Sequence, residues 1–97
     1  MIVLKTNREL ALMREACIIS AGALKLAGEA VEPGVTTAEI DKIAYDYIIK
    51  CGAKPNFLNY NGYPATACIS INDEVIHGIP DKAHILRAGD IVSIDLG

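Results

Sequence analysis

Two Thr-x-x-Glu signatures, Thr6/Glu9 and Thr36/Glu39, constrain this chain more than any other feature. In such a pair the threonine hydroxyl takes the glutamate amide while the carboxylate reaches back to the threonine amide, which starts a helix. Each pair is followed by apolar residues at three- and four-residue steps. The first helix is expected to run to about Val31, burying Leu10, Met13, Cys17, Ala21, Leu24, Gly28 and Val31. A turn at 32–35, EPGV, then uses Pro33 for its fixed φ and Gly34 for a positive one. The second helix is expected to turn Ile40, Ile43, Ala44, Tyr47, Ile48 and Cys51 inward, and Glu39, Lys42, Asp46 and Lys50 toward solvent. Gly52 is placed to end it. Cys17 and Cys51 therefore read as core, and neither helix is assigned any chemistry.

The helical period stops after Lys54. The stretch PNFLNYNGYP gathers Pro, Asn and Gly with aromatic residues and reads as a loop, either a lid over a local cluster or a pocket wall. The stretch ATACISINDEVIHGIP then reads as a hairpin. Ala67, Ile69 and Ile71 alternate with Thr66, Cys68 and Ser70. With Asn72-Asp73 as a two-residue turn, Ser70 would face Val75, Ile69 would face Ile76, and Cys68 would face His77. RAGD marks a further turn. IVSIDL is the third strand, with Val92, Ile94 and Leu96 on one face and Ile91, Ser93 and Asp95 on the other. The expected class is α+β, two helices packed on an antiparallel sheet.

Composition narrows the function classes. The 97 residues, 52% apolar and 22% charged, suit one globular domain at most, burying about 65% of its unfolded surface. A net charge of −3 without a basic run argues against nucleic acid as the partner. Three cysteines at unrelated spacings make neither a disulfide framework nor a zinc knuckle. A reducing, cytoplasmic setting is expected. The N-terminus lacks a signal-peptide core, and Lys25 and Glu29 interrupt the apolar stretch 16–31, so no membrane partner is expected.

Three residues draw chemical interest. Asp95 lies in a strand, where aspartate is disfavoured and a desolvated carboxylate needs a cation or several donors. It is either an exposed turn residue before Gly97 or a ligand for a hard divalent cation. His77 precedes Gly78 and Pro80 at a strand end, either as a structural hydrogen-bonding residue or as a neutral imidazole serving a substrate. Cys68 is either a small buried strand residue or part of a site with His77. His84 lies among charged and turn residues and reads as surface.

The order of NYNGYPATACISINDEVIHGIPD and LRAGDIVSIDLG, with the two helical segments before them, resembles the first part of a type I methionine aminopeptidase. The resemblance runs over essentially the whole chain. It implies the pita-bread fold, of which residues 1–97 would be the N-terminal half of the catalytic domain. It implies an enzyme that removes the initiator methionine from nascent proteins using two divalent metal ions (cobalt, manganese, iron or zinc). Asp95 matches the family's first metal-binding aspartate. His77 matches a catalytic histidine that contacts substrate and helps stabilise the tetrahedral intermediate. Tyr60, Tyr63 and Cys68 match positions lining the methionine side-chain pocket, and Phe57 occupies a neighbouring wall. The partners implied are N-terminal methionyl peptides and an association with the ribosome.

Asn61 departs from the family pattern, which often has histidine there. The family's remaining metal ligands and its general base would lie beyond Gly97, so the chain is expected to be an incomplete, inactive piece of that domain. It is also expected to self-associate through an exposed sheet edge. Two other readings are a non-catalytic pita-bread binding module and an Xaa-Pro-type peptidase relative; the NGYP and CISIN segments favour the methionine enzymes over the latter.

Overall fold

The computed structural model describes all 97 residues. Helix α1 spans Asn7–Glu29 and helix α2 spans Thr37–Lys50, and both capping boxes are formed in full. Thr6 Oγ1 accepts from Glu9 N at 3.2 Å, and Thr36 Oγ1 accepts from Glu39 N at 3.2 Å. Gly34 and Gly52 take the positive φ expected of them, 95° and 75°. The α2 stripe is largely as expected, with Ile40, Ala44 and Ile48 buried.

The stripe of α1 is not. Its buried residues are Ala23 and Ala27, and Leu10, Met13 and Leu24 remain exposed. The inward face is rotated onto small residues because α1 lies against both α2 and β2. The tip of the Tyr47 ring lies directly against Gly22, where α2 approaches α1. Cys17 and Cys51 are both exposed, which corrects their assignment to the core. Cys51 falls on the cap of α2, where the stripe leaves the packed face.

Strand β1 (Ala67–Ile71) pairs antiparallel with β2 (Val92–Leu96). The alternation is as read from sequence: Ala67, Ile69 and Ile71 join Ala27, Ile40 and Ala44 in the core, with Val92, Ile94 and Leu96 packed against them. The hairpin is not formed. No strand begins directly after Asn72, and Cys68 is paired with Asp95, not with His77. Asn72 is a clamp rather than a turn tip. Its N–H donates to Ile91 O, its Oδ1 accepts from Ile91 N, and its Nδ2 donates to Asp90 Oδ1.

The outer edge of β1 explains why no third strand pairs there. Its three outward N–H groups are already occupied. Ala67 N donates to Asp41 Oδ1 at 2.7 Å, Ile69 N to Gly78 O at 2.8 Å, and Ile71 N to Glu74 Oε1 at 2.8 Å. Asp41, on α2, also accepts from Thr66 N, so one carboxylate fixes the start of the strand. Burial raises the Asp41 pKa, opposed by these two amide hydrogen bonds. Tyr63 closes the same edge. Its hydroxyl lies within donating distance of Ala67 O (2.9 Å) and Gly78 O (3.2 Å). Its pKa is pushed well above the ordinary value by burial first, then by the neighbouring Cys68 thiol and the charges of Asp41 and Asp95.

Residues 81–86 return the chain to α2. Thr37 Oγ1 bonds the Asp81 backbone in both directions, Thr37 N donates to His84 O, and Leu86 N donates to Val35 O. His84 is thereby half-buried rather than wholly at the surface. The accessible area is 6979 Å², against about 5,400 Å² for a compact monomer of this mass. Roughly 54% of the unfolded surface is removed, less than the sequence led us to expect. The excess includes apolar side chains on the outer faces of α1, among them Leu12 and Ile18.

These clamps should be visible in stability measurements. Asp41→Asn keeps an oxygen acceptor for both amides and should stay within about 1 kcal/mol of the parent, while Asp41→Ala should cost about 1–3 kcal/mol in urea melts. The folded chain holds the Asp41 proton more tightly than the unfolded chain. Stability should therefore decline as pH rises from 3.8 through the raised folded value, and Asp41→Asn should flatten that decline. Tyr63→Phe should cost about 1 kcal/mol. Its effect on alkaline unfolding has the same sign: the stability held by the protonated phenol is complete below pH 10.0 and falls above it. Tyr63→Phe should remove that fall, which alkaline melts would register.

Candidate active-site cleft

The face of the sheet opposite the helices carries a cleft of about 570 Å³. Three chain segments converge on it. From β1 and β2 come Cys68 and Asp95, neighbours across the strand pair because side chains on one sheet face alternate with a period of two. From the 57–64 loop come Phe57, Tyr60 and Tyr63. From the turn after Asn72 come His77 and Ile79.

Each segment has a local reason for its path. The 57–64 loop turns back through Asn59 and Asn61, both in the left-handed region with φ of 67° and 48°, where asparagine is better tolerated than other side chains. Asn59 N donates to Tyr63 O, and a short 3₁₀ turn spans Tyr60–Gly62. Asn56 N donates to Gly97 O, which ties the loop entrance to the end of β2 and brings the Phe57 ring against Gly97. Tyr60 is largely exposed, whereas Tyr63 is half-buried with its hydroxyl anchored on backbone. Cys68 is buried at 6% exposure, and His77 and Asp95 are open to solvent.

Every residue singled out from sequence lines this one cleft: Phe57, Tyr60, Tyr63, Cys68, His77 and Asp95. The route to that juxtaposition differs from the one expected. His77 arrives from a turn beside β1, not from a paired strand, and Asp95 rather than His77 stands opposite Cys68. Sequence reading missed Pro64 and Ile79 as walls, and Asn61, noted for its identity alone, lines the cleft as well. It also missed Asp41, whose signal was its place one turn after Thr37 and next to buried Ile40 on the inward side of α2.

The lining is mainly apolar and aromatic, with an imidazole, a thiol and a carboxylate at defined positions, a composition typical of small-ligand sites. A divalent ion needs several oxygen or imidazole ligands. Asp95 is the one carboxylate lining the cleft, and no group of three or more His, Cys, Asp or Glu side chains is placed to hold an ion. These residues therefore do not complete a metal centre. No helix is long and apolar enough to cross a membrane.

Comparison with known proteins finds relatives over the whole chain. The chain is 48% identical over 97 residues to a methionine aminopeptidase of Clostridium acetobutylicum and 46% identical to methionine aminopeptidase 1 of Bacillus subtilis. It spans 39% of the length of each. Crystal structures of the methionine aminopeptidases from Thermotoga maritima and Rickettsia prowazekii superpose with TM-scores of 0.95 and 0.93, at 36% and 38% identity. Each match covers 99% of this chain and 39% or 38% of the other. The two helices and the antiparallel pair thus correspond to part of the pita-bread architecture. The sequence model of metallopeptidase family M24 matches residues 11–97, and the chain belongs to that family.

Proposed function

We propose that residues 1–97 form the N-terminal half of a methionine aminopeptidase catalytic domain, and that the whole protein removes the initiator methionine from nascent chains. The observation that carries this reading is the convergence of His77, Cys68 and Asp95 on one aromatic-walled cleft. Phe57, Tyr60, Tyr63 and Cys68 receive the methionine side chain, whose polarisable thioether suits aromatic and sulfur contacts. His77 donates from its imidazole to the substrate and to the oxygen that becomes negative in the tetrahedral intermediate. Asp95 is one ligand of a centre of two divalent ions (cobalt, manganese, iron or zinc), and the other ligands come from sequence outside these residues. The 97-residue chain is inert by itself, since it carries too few ligands. Its substrates are N-terminal methionyl peptides, met in the cytoplasm and beside the ribosome.

A chimaera tests this reading. Residues 1–97 replace the matching segment of the Clostridium acetobutylicum relative, and hydrolysis of a methionyl-alanyl peptide is followed with manganese or cobalt. The chimaera should turn over, and the isolated chain should not. His77→Ala should lower kcat by about 10²–10³, the scale of losing one donor to a developing oxyanion. Asp95→Ala should reduce turnover at least as far and weaken metal binding measured by calorimetry. Robust hydrolysis by the pure 97-residue chain, or unchanged kcat in His77→Ala, would overturn the assignment.

The free edge of β2 supports self-association of the isolated chain. Asn72 N donates to Ile91 O, so the ladder toward β1 uses Ser93 and Asp95, and Val92, Ile94 and Leu96 turn their backbone groups outward. An edge of this kind is a template for a second copy. Sedimentation should show concentration-dependent dimerisation of the 97-residue chain. A chain that stays monomeric at high concentration would refute it.

A further inference from the structure

The conformation of His77 is unusual for its surroundings. It has φ of 60°, in the left-handed region, yet its side chain is exposed and makes no hydrogen bond that would hold it there. The restraint comes from the next residue. Gly78 is buried, and its peptide is gripped at both ends. Gly78 N donates to Ser70 Oγ at 3.0 Å, and Gly78 O accepts from Ile69 N at 2.8 Å and lies 3.2 Å from the Tyr63 hydroxyl. A Cβ at Gly78 would overlap the Ile69 carbonyl and stand 2.8 Å from Ser70 Cα, so this backbone lies directly on β1. Ser70 itself is buried at 4% exposure and sits on the same strand face as Cys68.

We infer that Ser70 is a positioning residue for His77: its hydroxyl holds the Gly78 N–H so that the preceding residue stays left-handed and its imidazole stays at the cleft. The inference rests on the role proposed for His77 above. Ile69 and Tyr63 grip only the carbonyl end of Gly78, so without the Ser70 oxygen the amide end is released. His77 can then relax to negative φ, which every residue except glycine prefers. The imidazole would swing away while the strand pair and the apolar walls remain.

Two readouts test this. In the 97-residue chain, the Cα and Cβ chemical shifts of His77 and its one-bond Cα–Hα coupling should report left-handed backbone. They should shift to ordinary values in Ser70→Ala and be restored in Ser70→Thr, which keeps the acceptor. In the chimaera, Ser70→Ala should lower kcat about tenfold with KM changed less than twofold, with Ser70→Thr close to the parent. Introduced into His77→Ala, the same Ser70→Ala change should have no further effect on kcat, because it acts through the missing imidazole. A merely structural serine would instead lower kcat equally in both backgrounds. Should Ser70→Ala fail to fold, Ser70→Cys, similar in shape with a weaker acceptor, carries the same expectations. A left-handed signature that persists in the variant, or equal losses in both backgrounds, would overturn the inference. An inactive parent chimaera would count against the proposed function alone, and the backbone signature of His77 would still decide the positioning.

Discussion

The outer edge of β1 is the constraint on which the rest of the molecule depends. A strand buried on both faces has to find partners for every backbone N–H and C=O, since an orphaned buried group costs about 1–3 kcal/mol. One edge of β1 is served by β2. The other is served piecemeal, by the carboxylates of Asp41 and Glu74, the Tyr63 hydroxyl and a single glycine peptide. Each partner belongs to a different part of the chain. One short strand thereby fixes α2, the aromatic loop and the turn carrying His77 relative to each other.

This arrangement makes the cleft. A regular third strand would have laid His77 in a ladder, with its side chain on one face or the other by parity. Side-chain partners leave the backbone at 72–79 free to leave the sheet and return at Gly78 alone. The returning chain covers the face holding Cys68 and Ser70, which is why all five residues of β1 are buried while β2 keeps Ser93 and Asp95 open. Asp41 carries the electrostatic cost of the arrangement. It is raised in pKa by its burial and held in place by the strand amides it caps.

The surface is consistent with that picture. Helix α1 buries a narrow face at Ala23 and Ala27, and its larger apolar side chains remain outside that face. The area above that of a compact monomer is larger than the roughly 800 Å² that one partner contributes to a standard protein interface. The chain spans 39% of the length of the Clostridium acetobutylicum relative.

Local chemistry was legible in the sequence where a few adjacent residues settle the outcome. Both capping boxes, the glycine-dependent turns at Gly34 and Gly52, and the inward alternation of both strands depend on near neighbours and formed as read. The identity of the cleft residues was also legible, though through resemblance more than through spacing. Tertiary structure decided three things. It chose which stripe of α1 is buried, because the packing of α1 against both α2 and β2 is invisible in periodicity. It directed the chain out of the sheet after Asn72, because a carboxylate forty residues or less away in sequence can take a strand amide as well as another strand can. It also set the companions of Cys68, since register is a property of the partner strand, and that partner proved to be β2. The sequence by itself determined where the two helices start and which faces of β1 and β2 are apolar. Only the folded chain decided how they meet, since that depends on backbone groups finding partners over distances no local pattern encodes.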